Sequence, residues 1–158
     1  MKIKILATAI ALFTLIFTAC KKDVVTTLTE NPEPTGYYTK VKINGNVNEA
    51  KAPLAYTVIV EDYINIYGIF QDNKSIYLSI DKNKGVGTYQ LANSNEFAYF
   101  ADGQDTYFSL FTGGSCEVTI TSKTAKEIKG KFKAVVTNAQ NNATKTVTMT
   151  EGAFSHTY

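Results

Sequence analysis

The sequence predicts an all-β domain, an antiparallel β-sandwich or flattened barrel of about ten short strands. Three observations predict it. From Tyr37 onward Thr, Val, Ile, Tyr and Phe dominate, the residues that fit a pleated, half-buried surface. Turn-forming residues recur about every 8–12 positions. Apolar and polar residues alternate within the intervening runs, and no helical period competes.

The N-terminal elements have a different chemistry. Lys2 and Lys4 precede an apolar run over 5–17. The run has the length of a signal-peptide core, roughly 7–15 residues, and falls short of the roughly 20 that span a bilayer. It ends in Phe17-Thr18-Ala19-Cys20. This resembles a lipobox, in which a small residue precedes an obligatory cysteine; Phe17 stands where an aliphatic residue is usual. Residues 1–19 are therefore expected to be a lipoprotein signal peptide. The Cys20 thiol is expected to carry diacylglycerol and its freed amine an acyl chain such as palmitate. Several acyl chains at roughly 0.8 kcal/mol per buried CH₂ make a stable anchor without a transmembrane helix. Residues 20–36 follow as a lipidated cysteine and a tether rich in Thr, Pro and acids, expected to be disordered and to reach roughly 50 Å at about 3.3 Å per residue.

The domain itself is expected over 37–158. Its strands read as 37–43, 47–51, 55–60, 64–70, 75–81, 87–91, 96–101, 106–112, 116–122, 128–137 and from 144 to near the end. Asn44-Gly45, Glu61-Asp62, Asp72-Asn73, Asn93-Ser94-Asn95, Gly103-Gln104, Gly113-Gly114 and Asn138 to Asn142 supply the turns. Short loops favour antiparallel meanders. Several strands declare an apolar face: Ile64, Ile66, Gly68 and Phe70; Ile76, Leu78 and Ile80; Ile128, Gly130, Phe132, Ala134 and Val136, opposite Lys129, Lys131 and Lys133. Val147 and Met149 share a face, but Phe154 falls out of step, so a bulge is expected at Gly152.

The order of short motifs carries a resemblance. Ile43-Asn44-Gly45, Gly87-Thr88-Tyr89-Gln90-Leu91, Val118-Thr119-Ile120-Thr121, Ile128-Lys129-Gly130-Lys131-Phe132 and Gly152-Ala153-Phe154 follow one another. Together they resemble a family of Bacteroidota lipoproteins carrying a β-rich domain of unknown function. Members often carry Trp soon after the first motif; this chain has none. The resemblance implies a secreted, lipid-anchored β domain and lends no site residues.

Charge and composition exclude several chemistries. Without Lys2 and Lys4 the lysines equal the 14 acidic residues. The chain has no Arg, the usual residue for bidentate grip on phosphate and guanine, so no nucleic-acid partner is expected. His156, the one histidine, lies near the C-terminus and is expected to be solvated; a triad or His-based metal site needs convergent partners. Cys116 alternates in phase with Val118 and Ile120 and reads as a small buried hydrophobe. Asp102 and Asp105 flank a turn and read as caps rather than Ca²⁺ ligands. Glu61 and Asp62 are adjacent and point to opposite faces. No catalytic set, metal site or cofactor is expected.

The aromatics are the suggestive feature. Tyr63 and Tyr67 lie opposite the Ile64/Ile66 face, and Tyr77 opposite the Ile76/Leu78 face. If the two strands pair, these rings become neighbours on the outer surface. Tyr offers an apolar ring with a polar tip, suited to proteins, glycans or peptides. The expectation is a non-enzymatic binding module on an outer-membrane lipoprotein, periplasm-facing or at the cell surface, held to the membrane through Cys20. The alternative is a lipocalin-like carrier of a small apolar ligand in a barrel cavity.

Overall fold

The computed structural model describes residues 36–138 and 145–158. The expected signal peptide, the lipidation site Cys20 and the tether up to residue 35 lie outside them, as does most of the Asn138 to Asn142 turn. Eleven strands follow in order: β1 Tyr38–Ile43, β2 Asn46–Lys51, β3 Ala55–Val60, β4 Tyr63–Ile69, β5 Lys74–Asp81, β6 Gly87–Gln90, β7 Ala98–Asp102, β8 Asp105–Phe108, β9 Ser115–Lys123, β10 Glu127–Asn138 and β11 Lys145–Thr157. Every pairing between them is antiparallel.

The turns explain the pairing. Asn44 and Gly45 both have positive φ (47° and 86°), the two-residue hairpin geometry that follows strand twist, and they set Ile43 opposite Asn46. Asp72 and Asn73 also have positive φ (59° and 58°), here within a three-residue loop, Gln71 to Asn73, closed by the Phe70 N–H to the Lys74 carbonyl at 2.8 Å, which brings β4 against β5 with Ile69 opposite Ser75.

The strands form one eleven-stranded sheet whose main path runs β2-β1-β11-β10-β8-β7-β5-β4-β3. Strand β10 is the junction. Its residues Ile128 to Val135 pair with β9, and Thr137 pairs with Phe108 of β8; β9 in turn carries β6. The sheet curls so that β1 lies against β4. A Cβ placed on Gly68 would sit 3.0 Å from the Thr39 side chain, and Thr39 Oγ1 lies 3.4 Å from the Tyr67 carbonyl oxygen. The result is a nearly closed, barrel-like sheet, the flattened-barrel form of the expected fold.

The interior is lined by the faces that the alternation marked. Ile64, Ile66, Ile76, Leu78, Ile80, Phe100, Ile120, Ile128 and Met149 are all buried. The expected bulge is present. Val41 of β1 and Lys133 of β10 each face an extra residue of β11 near Gly152, and Glu151 there has φ 51°. Val147 and Met149 before it, and Phe154 after it, are thereby all buried.

The bulge also carries His156 inside, against the expectation that it is solvated. The ring is fully buried and meets Tyr37 edge-on at 5.8 Å. Its Nε2 lies 2.8 Å from Thr39 Oγ1. Both Thr39 contacts are satisfied if His156 Nε2–H donates to Thr39 Oγ1 and the Thr39 hydroxyl donates to the Tyr67 carbonyl. Nδ1 then has no partner in hydrogen-bonding geometry. Burial pushes the imidazole pKa down to about 4 and outweighs the Tyr38 backbone, which acts in the other direction.

Candidate functional site

The outer face of β3, β4, β5, β7 and β8 carries one row of aromatic residues. Tyr56 stands opposite Tyr67, Tyr67 opposite Tyr77, Tyr77 opposite Tyr99, and Tyr99 opposite Phe108. At a strand spacing of about 4.8 Å the row spans about 19 Å. The rings touch along most of its length. Tyr56 and Tyr67 are stacked at 4.7 Å and 9°, and Tyr67 and Tyr77 are tilted at 4.9 Å. Phe97, from the loop before β7, contacts Tyr77 at 5.4 Å and Phe108 at 6.1 Å. Tyr99 meets Phe108 edge-on at 4.9 Å, and Phe111 closes the row at 5.1 Å from Phe108. Pairs of this kind contribute about 0.5–1.5 kcal/mol each beyond their burial. Here they hold the rings of a partly exposed surface in place.

Of the three tyrosines singled out from the sequence, Tyr67 and Tyr77 are direct neighbours. Tyr63 shares their face four residues before Tyr67, and its hydroxyl oxygen accepts a hydrogen bond from Asn95 Nδ2 at 3.2 Å. The Tyr77 hydroxyl donates to Asn65 Oδ1 at 2.8 Å. Two shallow depressions meet here and share Tyr77 and Phe97. One, of about 280 Å³, lies among Tyr67, Tyr99 and Phe108 and is mostly apolar. The other, of about 260 Å³, has Tyr63, Asn65, Ser79 and Asn95 on its walls. An apolar bed therefore adjoins a strip of amide and hydroxyl groups. Burial, then the nearby Tyr77 and Tyr56 rings, raises the Tyr67 pKa, so its hydroxyl is neutral and able to donate at neutral pH.

Tyr56, Phe97, Tyr99 and Phe108 were missed in the sequence. Hairpin symmetry reveals part of the row. Tyr56 and Tyr67 are equidistant from Glu61-Asp62, Tyr67 and Tyr77 from Asp72, and Tyr99 and Phe108 from Gly103-Gln104. The link from Tyr77 to Tyr99 spans β6 and has no local signal.

A buried carboxylate braces the loops beside this face. Glu96 forms an ion pair with Lys84 and accepts from the Asp81 N–H and from Asn93 Nδ2, each at 3.0 Å. Burial raises its pKa, but these hydrogen bonds outweigh it and hold the carboxyl below its ordinary value. Its acceptor sites are occupied by the fold.

The opposite face is charged. Depressions of about 410 and 310 Å³ lie there among Glu117, Lys133 and their neighbours on β9, β10 and β11. They are larger, but Glu117 is engaged by Lys133 at 2.9 Å and Gln90 at 2.8 Å, and Glu151 by Lys42 at 2.6 Å. Their charges offset one another locally.

Cys116 is buried on the inner face of β9, as expected. Burial, then the Glu117 charge, pushes its thiol up to about 12, so the nucleophilic thiolate is scarce at neutral pH. Asp102 and Asp105 face each other across the Gly103 turn, and Asp105 pairs with Lys145 at 3.0 Å. Among the described residues no group of three or more His, Cys, Asp or Glu side chains is placed to hold a metal ion.

The chain belongs to the family described as Domain of unknown function (DUF6252), whose model matches residues 35–157. No curated protein and no solved structure matches it.

Proposed function

We propose that the protein is a lipid-anchored, non-enzymatic binding module of a bacterial cell envelope, and that its aromatic face receives a protein or peptide partner. One observation carries the reading: the row from Tyr56 to Phe108 runs across five adjacent strands on an outer face. Tyr-rich surfaces with apolar beds and polar tips are the composition of protein interfaces. Mutual packing favours a protein over a glycan. Tyr67 has Tyr56 on one side and Tyr77 on the other, so it presents an edge and a hydroxyl rather than an open ring face for a sugar.

The envelope address and the anchor rest on the signal-like run over 5–17 and on Cys20. The resemblance to Bacteroidota lipoproteins supports an outer-membrane destination, periplasm-facing or at the cell surface. The carrier alternative needs an enclosed space. The inward positions of the same strands hold Ile64, Ile66, Leu78 and Phe100, and the four depressions described above open on outer faces.

A photoreactive amino acid placed at Tyr99 and, separately, at Lys131 in producing cells tests the surface. The expected result is a discrete protein adduct from position 99, weakened by Tyr67→Ser, and none from position 131. Equal adducts from both positions, or none from position 99, would remove the reading; a saccharide adduct would replace the protein partner with a glycan. Palmitate labelling tests the anchor: labelling unchanged in Cys20→Ala would refute it.

A further inference from the structure

We infer that β3 is a self-association edge, through which two copies of the domain pair antiparallel about a two-fold axis at Val58. Three strands end a path of the sheet: β2, β6 and β3. An exposed edge offers unpaired N–H and C=O groups to any other strand, and proteins blunt such edges with charge, proline or short length. Strand β2 carries Glu49 and Lys51 within the strand itself. Strand β6 has four residues. Strand β3 is Ala55-Tyr56-Thr57-Val58-Ile59-Val60, with no charge, no proline and a full six residues. It is the one of the three left unguarded.

The exposure is concentrated where a partner strand would lie. Tyr56, Val58, Ile59 and Val60 are 36%, 41%, 47% and 51% exposed, whereas Ala55 is 1% exposed. Ile59 belongs to the inward-facing set with Ala55 and Thr57, so β3 is uncovered on both faces at its C-terminal half. The backbone phase agrees. The Ile69 N–H donates to the Leu54 carbonyl at 2.9 Å. With the antiparallel alternation, Tyr56, Val58 and Val60 then bond β4, while Thr57 and Ile59 turn their N–H and C=O groups to the open edge. Among the described residues β3 pairs with β4 alone.

The occupant has to bring an uncharged strand of similar length, and a second β3 does so. A two-fold axis through Val58 sets Val58 opposite Val58 of the second copy, Thr57 opposite Ile59, and Tyr56 opposite Val60. The hydrogen-bonded pairs are then those of Thr57 and Ile59, the residues whose backbone groups point outward. Opposed residues keep the same face, so the four exposed side chains cover one another. The two aromatic rows become parts of one outer surface, with Tyr56 beside Val60 of the second copy. A two-fold contact also closes on itself and limits assembly to a dimer. A single strand pair is a small interface, so the dimer is expected to be concentration-dependent.

Disulfide trapping in the full chain tests both the edge and its register. Val58→Cys places two thiols at a non-hydrogen-bonded pair, where Cα atoms lie about 4.5 Å apart and within disulfide reach. Mild oxidation of Val58→Cys is expected to give a disulfide dimer at least fivefold above the wild type, which carries Cys20 and Cys116 and sets the background. Tyr56→Cys alone is expected to stay near that background, and Tyr56→Cys/Val60→Cys to recover the dimer. Val58→Lys, a substitution at an exposed position, is expected to abolish concentration-dependent sedimentation while leaving the melting temperature close to that of wild type. Trapping of Val58→Cys no greater than wild type, equal trapping at Tyr56→Cys, or a disulfide to a different polypeptide would overturn the proposal.

Discussion

At the scale of single residues, His156 decides how the domain responds to acid. Its buried ring titrates at about 4, below the ordinary 6.5. The unfolded chain therefore binds the proton first as pH falls. Stability is fully present above pH 6.5 and is lost as pH drops from 6.5 toward 4; the whole difference is worth about 3 kcal/mol. Glu96 and Glu117, whose carboxyls are held below their ordinary 4.5, act in a lower window. Urea midpoints measured from pH 7.5 to 4.5 are expected to fall below pH 6.5 in the wild type and to be nearly flat in His156→Gln. An equal slope in both would show that another group is responsible. Cys116 gives a second residue-scale expectation. With its thiol pushed up to about 12, it should resist a thiol reagent at pH 8 until denaturant is added, and prompt labelling of Cys116 in the native Cys20→Ala chain would contradict this. Sequence reading placed Cys116 inside because alternation is local. For His156, proximity to the C-terminus suggests solvent but carries no information on strand phase. Yet the shift that restores Phe154 to the core also places His156, two residues later, on the same inner face.

At the scale of elements, the β11 bulge shows what a strand needs in order to stay amphipathic over thirteen residues. One extra residue at Glu151 and Gly152 returns Phe154 to the core, and Gly152 permits the close approach that accompanies it. A Cβ at Gly152 would lie 2.6 Å from both the Phe132 ring and its carbonyl oxygen. The carbonyl belongs to the ladder and cannot rotate away, so Gly152→Ala is expected to cost about 1–3 kcal/mol, the range for overpacking. Chemical denaturation would read this directly, and a change under 0.5 kcal/mol would mean that the bulge relaxes freely. Most strands were legible because hairpins are local events: a turn such as Asn44-Gly45 defines both flanking strands and their register. Strand β7 was read too early, from residue 96, and β8 too long, to residue 112. In both cases aromatic residues of the Phe97 and Phe111 loops imitate strand composition while packing onto the aromatic row. The pairing of β5 with β7 across the intervening β6 was not legible, because long-range pairing leaves no periodic mark on the chain.

At the scale of the whole molecule, β10 joins two arms with different surfaces. One arm, β3-β4-β5-β7-β8, bears the aromatic face; the other, β6-β9, sits on β10 beside β11, β1 and β2 and bears the charged one. They share one interior, and the Thr39 contacts with Tyr67 and Gly68 tie β1 to β4 across it. This connectivity predicts that the arms unfold together rather than in sequence. Gly130 tests it from the charged side. A Cβ there would lie 2.5 Å from the Thr119 carbonyl oxygen and 2.5 Å from the Phe154 ring, so Gly130→Ala strains the β9-β10-β11 arm without touching the aromatic row. Amide hydrogen exchange, read in β9 and β10 and separately in β4 and β5, is expected to lose protection by the same free energy in both places. Loss confined to β9, β10 and β11 would show that the aromatic face stands on an independent folding unit. The tyrosine row would then owe its order to its own ring contacts rather than to closure of the sheet behind it.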